Sequence, residues 1–424
     1  MDGEWYDLSA WRVAHPAGTH WIDGFANRDA TDVLHAFHSA EALAMTSRLP
    51  RLKSAPPSIP PTSALTLGFR KLRAELLRDG WFERVWWREA LNVAPIVGLY
   101  TAGTVLARTT PLLATALLAL GSTGAGWVAH DFVHGRGAFC SAMRGFGALF
   151  NAHSATWWSN KHNLHHACAL WPRLDPGILP TPALAAPLRL TQRSEVVCAF
   201  VCACAGTNQV GVDEDIMADP FFFLWAPDPA RDSKWRRLQH LYAVPVYSIL
   251  FALPLPFHGL PRPSTALPLP STRYAVPVYS ILFALWRFNS LRTVVGSRLR
   301  GEGCLLLANY AWMALCLPLP VALGHIFFAG VMTATIVTVS HQAEELFHEH
   351  QHDWVRAQME STRDAVTSNP FSEWLWGGMQ YQLEHHLFPT MPRYRYPALV
   401  PKIKQLCADQ CGRWSRPLGH LLGS

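Results

Sequence analysis

Three stretches of this chain leave little choice about the environment it folds in. Residues 90–107 and 109–129 hold no Asp, Glu, Lys or Arg, and Arg108 alone divides them. Residues 303–343 hold none either, and their only histidines are His325 and His341. Crossing a hydrocarbon core of roughly 30 Å takes about 20 apolar residues. The first two runs therefore read as one span each and the third as two, with expected spans at about 90–107, 109–129, 303–321 and 323–341. The competing reading, buried helices of a soluble protein, fits less well. Half the chain is hydrophobic and 16% is charged, the balance of a few spans attached to polar regions.

Two hairpins return the chain each time to the side it left. Of 36 Lys and Arg, only Arg108 then lies on the far side. Positive charge marks the cytosolic side of a membrane protein. The N-terminus, the loop 130–302 and the tail after 343 are thus expected in the cytosol. The net charge of +6 is scattered without a basic block, which suits anionic lipid headgroups and not a nucleic acid. Nine cysteines without zinc-type CxxC pairs fit a reduced compartment. The opening "MDGEWYDLSAW" has no apolar stretch of the signal-peptide kind, so insertion is expected to use the internal spans.

Histidines then crowd the near side. "HDFVH" follows the second run with His130 and His134; "HNLHH" brings His162, His165 and His166. "QYQLEHH" brings Gln382, His385 and His386, with glutamine where a third histidine would stand. His341, in "TVSHQAEEL", sits at the cytosolic end of the fourth span. Residues three and four apart share a helix face, and neutral imidazole is a common ligand of first-row metals. One such cluster is equally a polar surface pair; three on one side of a four-span protein point to metal. Zinc is normally satisfied by four ligands, often including thiolate. Eight imidazoles without cysteine suggest two metals, for which iron is the natural candidate.

These boxes resemble the membrane-bound fatty-acyl desaturases, and specifically the front-end desaturases with a fused cytochrome b5 domain. "GGMQYQLEHHLFPTMPR" is similar to the family pattern over its whole length, and Gln382 is the mark of the front-end branch. The resemblance implies a mostly α fold: four transmembrane helices under a cytosolic, histidine-rich di-iron cap, with a small α+β cytochrome b5-like domain at the N-terminus. It implies that His130, His134, His162, His165, His166, His341, His385 and His386 ligate two irons, and that Gln382 is a ninth ligand, direct or through water. Asp131, Asp215, Glu344 and Glu384 are candidates to orient those imidazoles. Trp157, Trp158 and the run "FSEWLWGG" either line an acyl tunnel or mark the membrane interface.

"AHPAG" and "DATDVLHAFHS" place His15 and His38 twenty-three residues apart. They look like the two haem-binding halves of cytochrome b5, with Ala17 where the motif has glycine. By that likeness His15 and His38 are the axial ligands of haem b, an electron port closed to dioxygen. His20 and His35 lie close by without the motif. The expected domains are 1–50 for haem, a proline-rich tether at 51–68, and 69–424 for the desaturase.

Two segments sit badly in this scheme. "YAVPVYSILFAL" occurs letter-perfect at 242–253 and again at 274–285, and the family pattern needs it once, leading into "WRFNSL". The acidic turn expected soon after "HNLHH" arrives as "TNQVGVDEDIMADP" only at 207–220. Residues 169–206 and 254–285 are therefore suspected extraneous insertions.

The function implied by the resemblance is insertion of a cis double bond, Δ5, Δ6 or Δ8, into polyunsaturated C18 or C20 acyl chains. Dioxygen is the co-substrate, and electrons come from NADH through a separate NADH-cytochrome b5 reductase. The acyl group is carried by coenzyme A or a phospholipid, and the expected location is the endoplasmic reticulum membrane. A sphingolipid long-chain-base desaturase or related di-iron hydroxylase would share the boxes. A catalytically inactive haem-binding membrane protein is the reading from outside that class.

Overall fold

A computed structural model describes residues 1–15, 19–52, 61–135, 137–167, 275–341 and 353–410. The described residues form helices and no sheet; the nearest thing to a strand is one bridge between Tyr6 and Arg51. In chain order the helices are α1 His20–Asp23, α2 Thr31–Phe37, α3 Ala40–Met45, α4 Ala64–Arg78, α5 Trp86–Leu106, α6 Pro111–Val133, α7 Gly137–Asn151 and α8 Ala155–Ala167. After residue 274 come α9 Ala275–Gly296, α10 Arg300–Cys316, α11 Leu319–His341, α12 Trp354–Ser361, α13 Pro370–Trp376, α14 Gln382–Leu387 and α15 Tyr396–Gln410.

Local chemistry sets many of the ends. Ser63 caps α4 by accepting from the Thr66 N–H at 3.1 Å. Pro111 opens α6, where its missing N–H costs nothing. Asn369 and Ser372 form a reciprocal capping box on α13, which stops at Gly377 in the left-handed region, φ 56°. A Cβ on Gly377 would lie 2.5 Å from the Trp127 ring, so this turn also needs glycine for space.

Among the described residues, three helices are long and apolar enough to cross a membrane: Trp86–Leu106, Pro111–Val133 and Leu319–Val337. The last two expected spans differ in their bounds. The break falls at Leu317–Pro318, not near 322, because proline drives the residue before it to extended backbone; Leu317 has φ −108° and ψ 136°. That leaves α10 only 17 residues, starting with Arg300 and Glu302. The second expected span also runs on, since α6 continues through His130 to Val133.

Helix α9 starts inside the second copy of the repeat and passes unbroken into "WRFNSL". Residues 169–206, the first copy, Asp215 and Glu344 lie outside the described residues. Helix α6 is the centre of the bundle: α5, α7 and α11 all pack on it, and α9 packs on α11. Helix α7 approaches α6 so closely that a Cβ on Gly147 would lie 2.2 Å from that of Ala129.

A second core stands at the far end of α6. Val33, Ala36 and Phe37 of α2 join Phe69 and Leu76 of α4, Trp354 and Met359 of α12, Leu383 and Leu387 of α14, and Tyr396 and Ile403 of α15. Burying each large apolar side chain contributes about 1.5–3 kcal/mol before chain entropy is counted. Asp353 stitches it further, capping α12 and accepting from Ser63 Oγ at 2.5 Å and Thr66 Oγ1 at 2.8 Å. The N-terminal module thus shares one core with the third histidine cluster.

Candidate metal centre

Helix α6 brings His130 on its last turn and His134 just past its end; α8 brings His162, His165 and His166; α14 brings Gln382, His385 and His386. Their imidazoles converge. Ring centroids lie 4.4 Å apart for His130–His162, 4.3 Å for His130–His385, 4.4 Å for His134–His166 and 4.6 Å for His166–His385. One ring nitrogen each from His130, His134, His162, His166 and His385 falls within 4.8 Å of all the others. A second group adjoins the first: His386 stacks on His166 at 3.9 Å, faces His165 at 5.2 Å, and has the Gln382 amide 3.4 Å from its Nε2. Helix α11 ends at His341, whose side chain lies outside the described residues.

Neutral side chains aim these rings. His134 Nδ1 donates to Asn163 Oδ1 at 2.7 Å, and the Asn163 amide is held in turn by donating to Ser159 Oγ at 2.9 Å. His386 Nδ1 donates to Gln358 Oε1 at 2.7 Å, while Gln358 Nε2 donates to the His166 carbonyl at 3.1 Å. His385 Nδ1 donates to the Tyr396 hydroxyl at 3.3 Å, which donates onward to the Met391 carbonyl at 3.1 Å. Each bond places a proton on Nδ1 and turns the Nε2 lone pair toward the cluster. Burial, then the neighbouring imidazoles, hold His162 and His166 well below the ordinary histidine range, so both stay neutral. Buried, neutral nitrogens at this separation fit transition-metal ligation, and their number exceeds the four that zinc takes.

Of the acids expected to orient the ligands, the two that are described, Asp131 and Glu384, do other things. Asp131 faces Arg84, whose Nη1 donates to it at 2.9 Å and to Glu89 at 3.0 Å. Glu384 turns to Asp364; burial, then that second carboxyl, pushes its pKa well up. Both acids are helical neighbours of a box histidine, and one residue along a helix is about 100° round the axis, away from the site. Asp364 also accepts from the Leu383 N–H at 3.0 Å, which holds the start of α14.

Glu302, at the start of α10, caps the helix that carries the middle box. Its carboxylate accepts from Ser154 Oγ, from the Thr156 N–H at 3.1 Å and from Thr156 Oγ1. Charge-assisted bonds at a helix N-terminus are each worth about 1.5–3 kcal/mol. Replacing Glu302 by glutamine is expected to lower stability by about 1–2 kcal/mol and to speed iron loss to a chelator. Thermal melts and chelation time courses in detergent check this, and wild-type values in both would refute it. Asn163 was legible inside "HNLHH" itself; Gln358, Tyr396 and Glu302 carry no local signal.

Trp157 and Trp158 pack, tilted, against Trp286 of α9 at 6.0 and 6.4 Å, and Trp158 lies 6.1 Å from His130. They form a partly buried aromatic group beside the histidines. From "FSEWLWGG", Phe371 and Trp374 are exposed while Trp376 packs near Trp127 and Met379.

At the N-terminus the rings of His15 and His38 are 6.2 Å apart, a separation that admits one iron between them. His38 Nδ1 donates to the Leu34 carbonyl at 3.0 Å, which puts the proton on Nδ1 and the lone pair on Nε2. His35 is committed elsewhere, 2.8 Å from Asp2. Residues 16–18, with Ala17, and the side chain of His20 lie outside the described residues.

Apolar helices under a buried histidine cluster define a membrane-bound metalloprotein. Residues 207–417 match the fatty acid desaturase family, and residues 1–78 match the cytochrome b5-like heme/steroid binding domain. An acyl-lipid (9-3)-desaturase of Physcomitrium patens is 26% identical over 421 residues, 95% of this chain and 69% of its own. A Delta(6)-fatty-acid desaturase of Caenorhabditis elegans is 24% identical over 96% of this chain and 90% of its own. A Delta(8)-fatty-acid desaturase of Euglena gracilis is 23% identical over 96% and 88%. No solved structure matches. The chain belongs to the fatty acid desaturase family and carries a cytochrome b5-like domain at its N-terminus. It is a membrane protein and an O2-dependent oxidoreductase acting on fatty acids, with haem and two irons as cofactors.

Proposed function

We propose that the chain is a front-end desaturase that inserts a cis double bond at Δ5, Δ6 or Δ8 of a polyunsaturated C18 or C20 acyl chain. The observation that carries this reading is Gln382, set 3.4 Å from His386 in the third box, where the front-end pattern has it. The Δ6 and Δ8 names of two relatives point the same way. In this reading His130, His134, His162, His165, His166, His341, His385, His386 and Gln382 hold two irons, and His15 and His38 hold haem b in a small α+β domain. Electrons come from NADH through a separate reductase, and the acyl carrier is coenzyme A or a phospholipid. The membrane is that of the endoplasmic reticulum.

Two irons bound there supply dioxygen activation strong enough to take hydrogens from unactivated methylenes. The chain's own residues do the rest. Asn163, Gln358 and Tyr396 keep the Nδ1 protons in place, burial keeps His162 and His166 neutral, and the packed aromatic rings keep water from the reacting face.

Helix α10 is the third of four spans in this reading. It starts where Glu302 meets Ser154 and Thr156, and Leu317 just beyond its end packs with Ala107 and Ala114 at the turn between α5 and α6. A run between those two levels supports a crossing. The domains are 1–50, 51–68 and 69–424, with 169–206 and one 32-residue repeat unit extraneous. The family match begins at residue 207, directly after the first of these segments, which supports that assignment.

The test is a fatty-acid methyl ester profile from yeast expressing the full chain and a version lacking residues 169–206 and 254–285, fed C18 and C20 polyunsaturated acids. A new carboxyl-side double bond from the shortened chain is the expected result. Product from both chains would make the segments harmless loops. Haem-loaded protein with no product from either would overturn the reading in favour of an inactive haem protein, and hydroxylated or long-chain-base products would move it to the related enzymes.

A further inference from the structure

A ring of the haem module lies against the histidine cluster. Phe37 ends α2, directly before His38. Its ring centroid lies 5.7 Å from that of His134 and 6.4 Å from that of His166, edge-on to the latter at 79°. It is 5% exposed, packed in the core that holds Phe69, Trp354, Leu383 and Phe388. A side chain from the electron-accepting module is thus built into the wall of the histidine cluster.

The seat is firm. Arg70 of α4 donates through Nε to Asp32 Oδ1 at 2.9 Å and through Nη2 to Asp32 Oδ2 and Asp29 Oδ2, both at 2.8 Å. Asp32 is 9% exposed, so its carboxylate is largely removed from solvent while Arg70 stays partly exposed. Arg73, one turn on, donates to the His35 carbonyl. Helix α2 is held by charge on one face while Val33, Ala36 and Phe37 enter the shared core on the other. For an electron leaving a haem on His38 toward His134 or His166, the Phe37 ring fills what would otherwise be a gap or water. Tunnelling weakens steeply with such a gap.

We propose that Phe37 is the positioning residue that couples the haem-binding His15/His38 pair to the metal-binding histidines, by bridging to His134 and His166 and sealing that side of the centre. The inference rests on the front-end reading above. Each turnover takes two electrons through this contact, one at a time; with two from the acyl chain and four protons they reduce one dioxygen to two waters.

The test uses the full chain in nanodiscs, loaded with haem and iron, chemically reduced, and mixed with dioxygen and acyl substrate while haem absorbance is followed. Phe37→Ala is expected to reoxidise its haem about 10–100-fold slower than wild type, the upper figure being the loss that a 1 Å misplacement brings. Its haem spectrum, midpoint potential and iron content should stay those of wild type. Phe37→Leu fills the space without the ring and guards against a folding failure; it should be slowed several-fold, and Phe37→Tyr should be restored. Wild-type rates in Phe37→Ala and Phe37→Leu would overturn the inference, as would loss of iron or haem in both, which would make the residue structural only. Wild-type protein whose haem reoxidises no faster than iron-depleted protein would overturn the front-end reading, and the inference with it.

Discussion

Replacing His166 by alanine is expected to empty the metal centre while leaving haem in place. His166 is the contact hub: its ring lies within 4.6 Å of those of His134, His162, His385 and His386. It therefore belongs to both groups of candidate ligand side chains. Its backbone carbonyl, which accepts from Trp354 Nε1 at 2.9 Å and Gln358 Nε2 at 3.1 Å, is untouched by the substitution, and alanine suits the helix. The fold should persist. Losing even an outer partner of a metal ligand costs about 10–100-fold in affinity, so losing a shared ligand is expected to cost at least about 100-fold. Iron measured by mass spectrometry against haem absorbance should fall below one per chain, and desaturation should stop. A variant with full iron and product would remove His166 from the ligand set.

The largest stability loss is expected from Arg84→Met. Arg84 Nη1 bridges Asp131 and Glu89, its Nη2 donates to the Asp131 carbonyl at 3.2 Å, and its guanidinium lies 4.1 Å from the Phe132 ring centre. Burial works against its charge, but Asp131 and Glu89 outweigh burial and raise its pKa. Methionine would fill the space and strand two buried carboxylates, a defect worth about 3–5 kcal/mol. Asp131 follows His130, so the last turn of α6 should loosen and iron retention should fall with it. Adding Asp131→Asn and Glu89→Gln should recover most of the loss, because neutral groups need no counter-charge. Thermal denaturation of the three proteins in detergent decides the matter; a single variant as stable as wild type would show that the ion network contributes nothing.

These two substitutions mark where reading the chain residue by residue succeeds and where it stops. His162, His165 and His166 stand at helical spacing, so their common face follows from 3.6 residues per turn before any tertiary contact forms. The expected hairpins would return the chain to one side, which would bring the other boxes near. The acids beside those boxes looked like natural orienting partners, and helix geometry turned Asp131 and Glu384 away. The groups that do orient the rings come from elsewhere: Gln358 is 28 residues from His386, and Tyr396 is 11 from His385. Neither lies in a motif.

The bounds of the spans show the same division. Hydropathy located all the uncharged runs, but the turn in the third follows Pro318, and the second span runs on as one helix into its histidine box. At the N-terminus, "AHPAG" and "AFHS" marked His15 and His38, while nothing local marked Phe37 as a neighbour of His134, nearly a hundred positions on.

By itself the sequence determined the apolar runs, the helical spacing of the histidines and the pairing of a haem module with a histidine-rich domain. Those properties arise from hydropathy and helical period, which act over a few turns of chain. Tertiary structure alone decided which polar groups aim the imidazoles, which cation neutralises Asp131, and where the haem module docks. Those depend on how α2, α4, α12, α14 and α15 bury their apolar faces in one core, and side chains far apart in the chain come into contact only when that burial closes it.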